Sequence, residues 1–375
     1  MRILHVVNAV NEGGIRTLLL DMVEYQIKEG NEVAILCTLK DTRYYKATAE
    51  FEKTKVKIIR GDYNNPYNPM HIRIIRKYMK SFDVVHVHMF PNQLYAKIAL
   101  NLLPRKLQPA IITTEHSTYN NRRKYPLLKL IDRWFYKSYD KIVGISQPTA
   151  NNLTKWLNSP QISKNIVTIN NGININKFKN ARSNIDSIIP FFCKEDKYVV
   201  MVARLEQPKD PITLVRALKY CLDYVHVIFI GSGSLVSSIQ DEVGRLGLNS
   251  RVHILGNRED VPQILKGCDI GVLSTQWEGF GLVAVEYMAA GLPVVVTDVE
   301  GVKEVVGDPD SLFPYQDEKR LGERIMKLLE DEKYREEKIL HSLAQAAKYS
   351  VTEMNEHYLS VYNEVIKKQN NKYSI

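Results

Sequence analysis

Two glutamates frame the chemistry this sequence can carry. In QWEGFGLVAVEYMAAGLPVVV, residues 276–296, Glu278 and Glu286 stand with seven residues between them, around a Gly-Phe-Gly turn and ahead of an apolar strand. Glycines at 279 and 281 let the backbone approach a ligand with no Cβ in the way. A helix beginning near Leu282 leaves its first N–H groups unpaired and open to phosphate or sugar oxygens. Glu278 precedes that helix and Glu286 lies about one turn inside it, so the carboxylates reach different parts of one ligand. A carboxylate accepts two hydroxyls at once, which suits a ribose or hexose diol. Acidic residues complementing a helix dipole would explain either glutamate alone; the pair, the turn and the strand together favour ligand binding.

A second group of residues lies in MVARLEQPKDP, residues 201–211. Arg204 and Lys209 follow the apolar strand YVVMVA, and Asp210 and Pro211 read as the cap and first residue of the next helix. Two cations at a strand end would clamp a diphosphate and stabilise the charge left on it when a bond breaks. His86 and His88, in DVVHVHMF, fall on one face of a strand and have the spacing of a metal pair. No third ligand of the right kind is near in sequence, and a structural or acceptor-side role suits them better. NEGGIRT, near the amino terminus, lacks G-x-G-x-x-G and is weak evidence for nicotinamide binding.

Such groups need sheets to hold them. In the first half, RILHVV, EVAILCT, VKIIR, DVVHVH, AIITTEH, KIVGIS and IVTI alternate with amphipathic stretches, among them one from about Ile15 to Lys28. This is the βα alternation of a parallel sheet wrapped by helices. Periodicity lapses from Asn174 to Lys197, which reads as a linker, and resumes with YVVMVA, VHVIFIG, RVHIL, DIGVLS and PVVVT. The expected architecture is α/β: two doubly wound, Rossmann-like domains, 1–185 on the acceptor side and 186–351 for the donor, facing across a cleft. Ligands of such sheets bind beyond the carboxyl ends of the strands. The tail is helical in pattern, and whether residues 352–375 pack on the first domain or simply end the second is left open by the pattern.

At 375 residues, with 45% hydrophobic and 25% charged residues, the chain can build two cores and is neither disordered nor repetitive. Four scattered cysteines without a CxxC argue against a zinc ribbon, a redox motif and a disulfide framework, and a reducing, cytoplasmic setting is expected. No apolar run reaches the roughly 18 residues of a membrane span. The net charge of +9 is uneven: residues 1–185 carry 29 Lys+Arg against 13 Asp+Glu, and the remainder 22 against 29. A basic half of this kind faces something anionic. Residues 120–141, NNRRKYPLLKLIDRWFYKSYDK, would on a helix set an apolar stripe between cations. That pattern suits an anionic bilayer, although core-facing helices with solvated edges look the same.

The glutamate pair, ARLEQPK, NNGININKF at 170–178, GSGSL at 231–235 and NEGGIRT, in this order over nearly the whole chain, resemble the retaining nucleotide-sugar glycosyltransferases of family four, which have the GT-B fold. The similarity is greatest to bacterial enzymes that build surface polysaccharides and glycoconjugates. By this resemblance Glu286 holds the ribose hydroxyls of the nucleotide, while Glu278 and the amides of Phe280, Gly281 and Leu282 hold the donor sugar. Arg204 and Lys209 hold the diphosphate, Gly13 and Gly14 let a first-domain loop approach the donor phosphate, and the base sits near Arg258, mainly on backbone groups. His116, in TTEHSTY, matches a histidine near the reacting sugar, the alternative being a satisfied loop histidine; Ser117 follows it where many members have an acid, which weakens the case for a carboxylate there.

The resemblance implies a UDP-sugar donor, a saccharide or polyprenyl-diphosphate-linked acceptor, no metal and no cofactor. The basic half and the stripe in residues 120–141 together suit peripheral attachment at the inner face of the cell membrane, and a nucleic-acid partner, which would not explain the donor site, is not expected. The alternatives are a nucleotide-sugar epimerase or phosphorylase on the same fold, or a non-catalytic nucleotide-sugar-binding subunit.

Overall fold

A computed structural model of the chain describes residues 1–10, 14–40, 51, 53–118, 120–189 and 192–373. They divide into two compact units, Met1–Gly172 with Val351–Ile375, and Ile173–Ser350.

The first unit is built on seven strands: β1 (Arg2–Val7), β2 (Glu32–Leu39), β3 (Lys57–Tyr63), β4 (Val84–His88), β5 (Ala110–Glu115), β6 (Lys141–Gly144) and β7 (Ile166–Thr168). They pair in the order β3-β2-β1-β4-β5-β6-β7, and every pairing is parallel. Parallel sheets are covered on both faces, which is why these strands read as nearly unbroken apolar runs. Leu4, Val6, Leu36, Val85, Val87 and Ile111 pack on one face with Ile75, Met79, Phe135 and Leu153. Ile3, Val7, Ile35 and Ile112 pack on the other, under Leu18 and Met22 of the helix Gly14–Lys28 and under Met354, Tyr358, Tyr362 and Val365 of the terminal helix Val351–Tyr373. The tail thus covers the first sheet, its tyrosines bound to strand side chains: Tyr362 Oη lies 2.6 Å from His86 Nδ1, and Tyr358 Oη 3.2 Å from Thr114 Oγ1.

The second unit holds six strands: β8 (Lys197–Val202), β9 (Val225–Ile230), β10 (Val252–Ile254), β11 (Ile270–Leu273), β12 (Val294–Thr297) and β13 (Leu312–Phe313). Their order is β10-β9-β8-β11-β12-β13, again parallel throughout. Residues 173–185, read from sequence as the end of the first domain and the start of a linker, belong to this unit. A helix of five residues, Ile175–Lys179, is too short to leave a periodic signature, yet it buries Phe178, and Ile185 is buried after it. Gly267 makes room for Ile185, since a Cβ there would stand 2.3 Å from Ile185 Cγ2.

Residues 120–141 are also less regular than one amphipathic helix. They form a short 3-10 turn, Asn121–Lys124, and a nine-residue helix, Leu128–Tyr136. Arg122 is drawn inward, its guanidinium 2.8 Å from Asp132 and stacked 3.9 Å above the Phe90 ring. Arg123 lies 3.6 Å from Glu115.

Candidate active site

The second sheet reverses direction between β8 and β11: from β8 the chain runs outward through β9 and β10, then returns to β11 on the other side of β8. Strand-end loops diverge at such a switch point and leave a crevice. The loop after β8 carries Arg204 and Lys209, and the loop after β11 carries Glu278. Backbone bonds stitch these loops together, Asp210 N–H to the Ser274 carbonyl at 3.1 Å and Gln276 N–H to the Pro208 carbonyl at 3.0 Å. Asp210 then caps the helix Pro211–Ala217, its carboxylate accepting from the Thr213 hydroxyl at 2.6 Å.

Across this junction Lys209 Nζ donates to Glu278 Oε2, with only 19% and 20% of the two side chains exposed. Burial pushes the Glu278 carboxyl up, but Lys209 and the Gly279 and Phe280 amides outweigh it and hold the group below the usual range. The pair is therefore a fixed carboxylate and a cation with further N–H bonds to give, at the place where a charged ligand would arrive.

The turn after Glu278 is shaped by glycine. Gly281 has φ +88° and precedes the helix Leu282–Ala290. Gly301 has φ +99°, and a Cβ there would stand 2.4 Å from the Glu278 carbonyl oxygen. Phe280 is buried, edge-on to Tyr349 with ring centroids 5.3 Å apart, so its ring anchors the turn from below. Glu286 is half-buried on the fifth residue of that helix. Behind it, Tyr287 accepts the Val202 N–H at 2.6 Å and lies against Gly271, where a Cβ would approach its ring to 2.4 Å.

Next to this junction, the glycine loop after β9 is laced to the Arg204 loop. Leu205 N–H donates to the Ser232 carbonyl and Leu235 N–H to the Leu205 carbonyl, both at 2.9 Å. A Cβ on Gly231, at φ +134°, would lie 1.9 Å from the Ala203 carbonyl oxygen. The Glu206 carboxylate accepts from the Ser234 amide at 2.7 Å and hydroxyl at 2.5 Å, and these bonds, with Arg204 nearby, hold it below the usual range. Arg204 itself is exposed. Arg258, in the loop after β10, closes its guanidinium on Asp260 at 2.8 and 2.7 Å. The structure thus brings Lys209 and Glu278 into contact and sets Arg204, Arg258, Phe280, Gly281, Leu282 and Glu286 at or just beyond the carboxyl edge of the same sheet.

In the first unit, Gly13 lies outside the described residues, and Gly14 opens the helix Gly14–Lys28. His116 follows β5. Glu115, one residue back, points to the opposite face, where it accepts from Tyr136 Oη, so it does not replace the acid that Ser117 lacks. His86 and His88 acquire in space the third histidine that sequence distance hid. His5 of β1 is the register partner of His86, and the ligand atoms of His5, His86 and His88 lie within 4.8 Å of one another. Each of these rings is hydrogen-bonded: His86 to Tyr362 and Thr114, His5 to Gln26 and His88, and His88 also to His116. Sequence reasoning missed His5 and Gln26; the one available signal was a histidine interrupting each of the apolar strands RILHVV and DVVHVH.

Residues 12–177 match the family described as Glycosyltransferase Family 4, and residues 186–347 match Glycosyl transferases group 1. An Escherichia coli UDP-Gal:alpha-D-GlcNAc-diphosphoundecaprenol alpha-1,3-galactosyltransferase is 27% identical over 59% of this chain; the match spans 59% of that enzyme's length. A phosphatidyl-myo-inositol mannosyltransferase of Mycobacterium leprae is 22% identical over 94% of this chain and 93% of its own. The crystal structure of Anabaena HepE with UDP and glucose superposes with a TM-score of 0.84 at 19% identity, covering 97% of this chain and 100% of that one. The chain belongs to the retaining glycosyltransferases of family four, and its fold is GT-B.

Proposed function

We propose that the chain transfers a sugar from a nucleoside diphosphate sugar, a UDP-sugar in the first instance, to a saccharide or lipid-linked acceptor, with retention at the anomeric carbon. The observation that carries this reading is the Lys209–Glu278 pair at the switch point of the second sheet. Glu278 and the amides of Phe280, Gly281 and Leu282 take the sugar, Glu286 the ribose hydroxyls and Arg258's loop the base. Lys209 and Arg204 take the diphosphate. As the glycosidic bond breaks, the leaving diphosphate gathers charge and accepts the acceptor's hydroxyl proton on the face it departs from. Two fixed cations there lower the barrier because they meet charge that grows in the transition state. In this account they do the work of a divalent ion, no metal or cofactor is required, and His116 stands beside the reacting sugar.

The choice of donor and acceptor is supported by the relatives. The E. coli enzyme's name gives UDP-Gal and a diphosphoundecaprenol-linked sugar, and the M. leprae enzyme's gives phosphatidyl-myo-inositol. Among the described residues no helix is long and apolar enough to cross a membrane. The helix Leu128–Tyr136 and the turn before it instead expose Tyr125, Leu127, Leu130, Ile131 and Trp134, with Leu127 82% accessible. Lys124 and Lys137 are exposed in the same stretch. The first unit carries 29 Lys+Arg against 16 Asp+Glu, a net of +13, and the second unit a net of −4. A basic, apolar surface of this kind suits peripheral attachment to an anionic bilayer that presents the acceptor.

The test is transfer from UDP-galactose, UDP-glucose and UDP-N-acetylhexosamines to undecaprenyl-diphosphate-linked monosaccharides, with product anomers read by NMR. An α-linked product from an α-linked donor is expected. An inverted product, or donor epimerisation without transfer, contradicts the proposal.

A further inference from the structure

The donor chemistry makes no use of the buried histidines of the first unit, yet they form a line that ends at His116. Gln26 Oε1 lies 2.9 Å from His5 Nε2, His5 Nδ1 lies 3.1 Å from His88 Nε2, and His88 Nδ1 lies 3.0 Å from His116 Nε2. Gln26, His5 and His88 are at most 2% exposed. Burial pulls His5 down to about 4 and His88 well below its usual value, and His116 is likewise held at about 4. All three rings are therefore neutral at pH 7, and each carries a single N–H.

A neutral imidazole donates at one nitrogen and accepts at the other, so the direction of this line belongs to the whole row rather than to any one ring. With Gln26 Oε1, which can only accept, facing His5, the ring donates from Nε2, and Gln26 Nε2 is left buried with no hydrogen-bond partner among the described residues. His5 Nδ1 then accepts from His88 Nε2–H, and His88 Nδ1 accepts from His116 Nε2–H. At the open end, His116 is left with a lone pair on Nδ1. His86 stands outside the row but steadies it, its ring centroid 4.1 Å from that of His88 and both its nitrogens bonded elsewhere.

We propose that Gln26, His5 and His88 are positioning residues that lock His116 in its Nε2–H tautomer, so that His116 meets a substrate hydroxyl as a hydrogen-bond acceptor through Nδ1. This rests on the assignment of His116 to the reacting sugar. A ring free to exchange tautomers would present the acceptor only part of the time, and the three residues remove that alternative without touching the substrate.

Long-range 1H–15N correlation spectra of the full chain, 15N-labelled at histidine and free of ligand, report the tautomer of each ring. His5, His88 and His116 are all expected as Nε2–H. His116 in the Nδ1–H form, as a turned-over Gln26 amide would produce, or as a mixture, overturns the proposal. So does stoichiometric zinc held by His5, His86 and His88 in the purified chain. His5→Phe should turn His116 into a mixture and lower kcat roughly tenfold, with donor KM changed by less than about twofold. Gln26→Met serves as the second variant should His5→Phe not fold. An unchanged His116 tautomer and unchanged kcat in either variant would make the row merely structural and contradict the proposal. Because the spectra need neither donor nor acceptor, an intact Nε2–H pattern in a chain that transfers no sugar would overturn the transfer reading alone.

Discussion

At the scale of residues, the candidate site holds a charge that burial disfavours. Glu278 stays ionised because Lys209 and two amides outweigh its desolvation. Lys209→Met removes the cation and leaves a carboxylate with its burial cost. The expected loss of stability is about 1–3 kcal/mol at pH 7. A carboxyl whose folded value lies below its unfolded one contributes above about 4.5, its ordinary value, and that contribution disappears as pH falls through the folded value. The difference between wild type and Lys209→Met, measured by chemical denaturation, should therefore shrink as pH falls below about 4.5, and Glu278→Gln in the Lys209→Met background should recover part of it. A pH-independent difference would contradict the electrostatic account. The turns that carry Glu278 and Lys209 were legible in the sequence from their glycine, proline and aspartate residues, each following an apolar strand. His5 and Gln26 were not, since their partners are fixed by the β1–β4 register and by the helix laid over it.

At the scale of elements, the loops at the second sheet's edge are held by close backbone approach. Gly301→Ala would put a Cβ 2.4 Å from the Glu278 carbonyl at a φ of +99°. A melting temperature lowered by several degrees, with weaker donor binding, is expected; an unchanged melting temperature would mean the turn relaxes freely. The helix Leu128–Tyr136 makes the opposite case, an element that leaves Leu130 and Ile131, and Leu127 just before it, exposed. Leu127→Asp with Leu130→Asp should weaken binding to phosphatidylglycerol vesicles while leaving turnover on a soluble acceptor intact, and equal vesicle binding would contradict the proposed membrane approach. Arg122 and Arg123 are poor choices for that test, because both are engaged within the fold. Long apolar strands and long helices were legible as elements. Short pieces such as Ile175–Lys179 were not, since five residues cannot display a period of 3.6.

At the scale of the whole molecule, buried histidines tie stability to pH, most strongly in the first unit. The first buries His5 and His116 with values near 4, and the unfolded chain would protonate both near their ordinary 6.5. Between those limits the unfolded state binds more protons, so the first unit's stability should rise with pH and fall away on acidification. Denaturant melts at pH 4.5, 5.5 and 7.0 check this, and a flat profile would contradict the buried neutral row. The parallel order of both sheets followed from the strand and helix alternation, whereas the place where the chain crosses between units turned on packing that no local pattern announces. A nucleotide-sugar site at the second unit's switch point is tested most directly by thermal-shift binding to a panel of UDP-, GDP- and ADP-sugars, with diphosphate release followed in the same wells. Stabilisation by one nucleotide class with slow release, both lost in Lys209→Ala, is the predicted result. Silence across the panel, or full binding and release in Lys209→Ala, would contradict it.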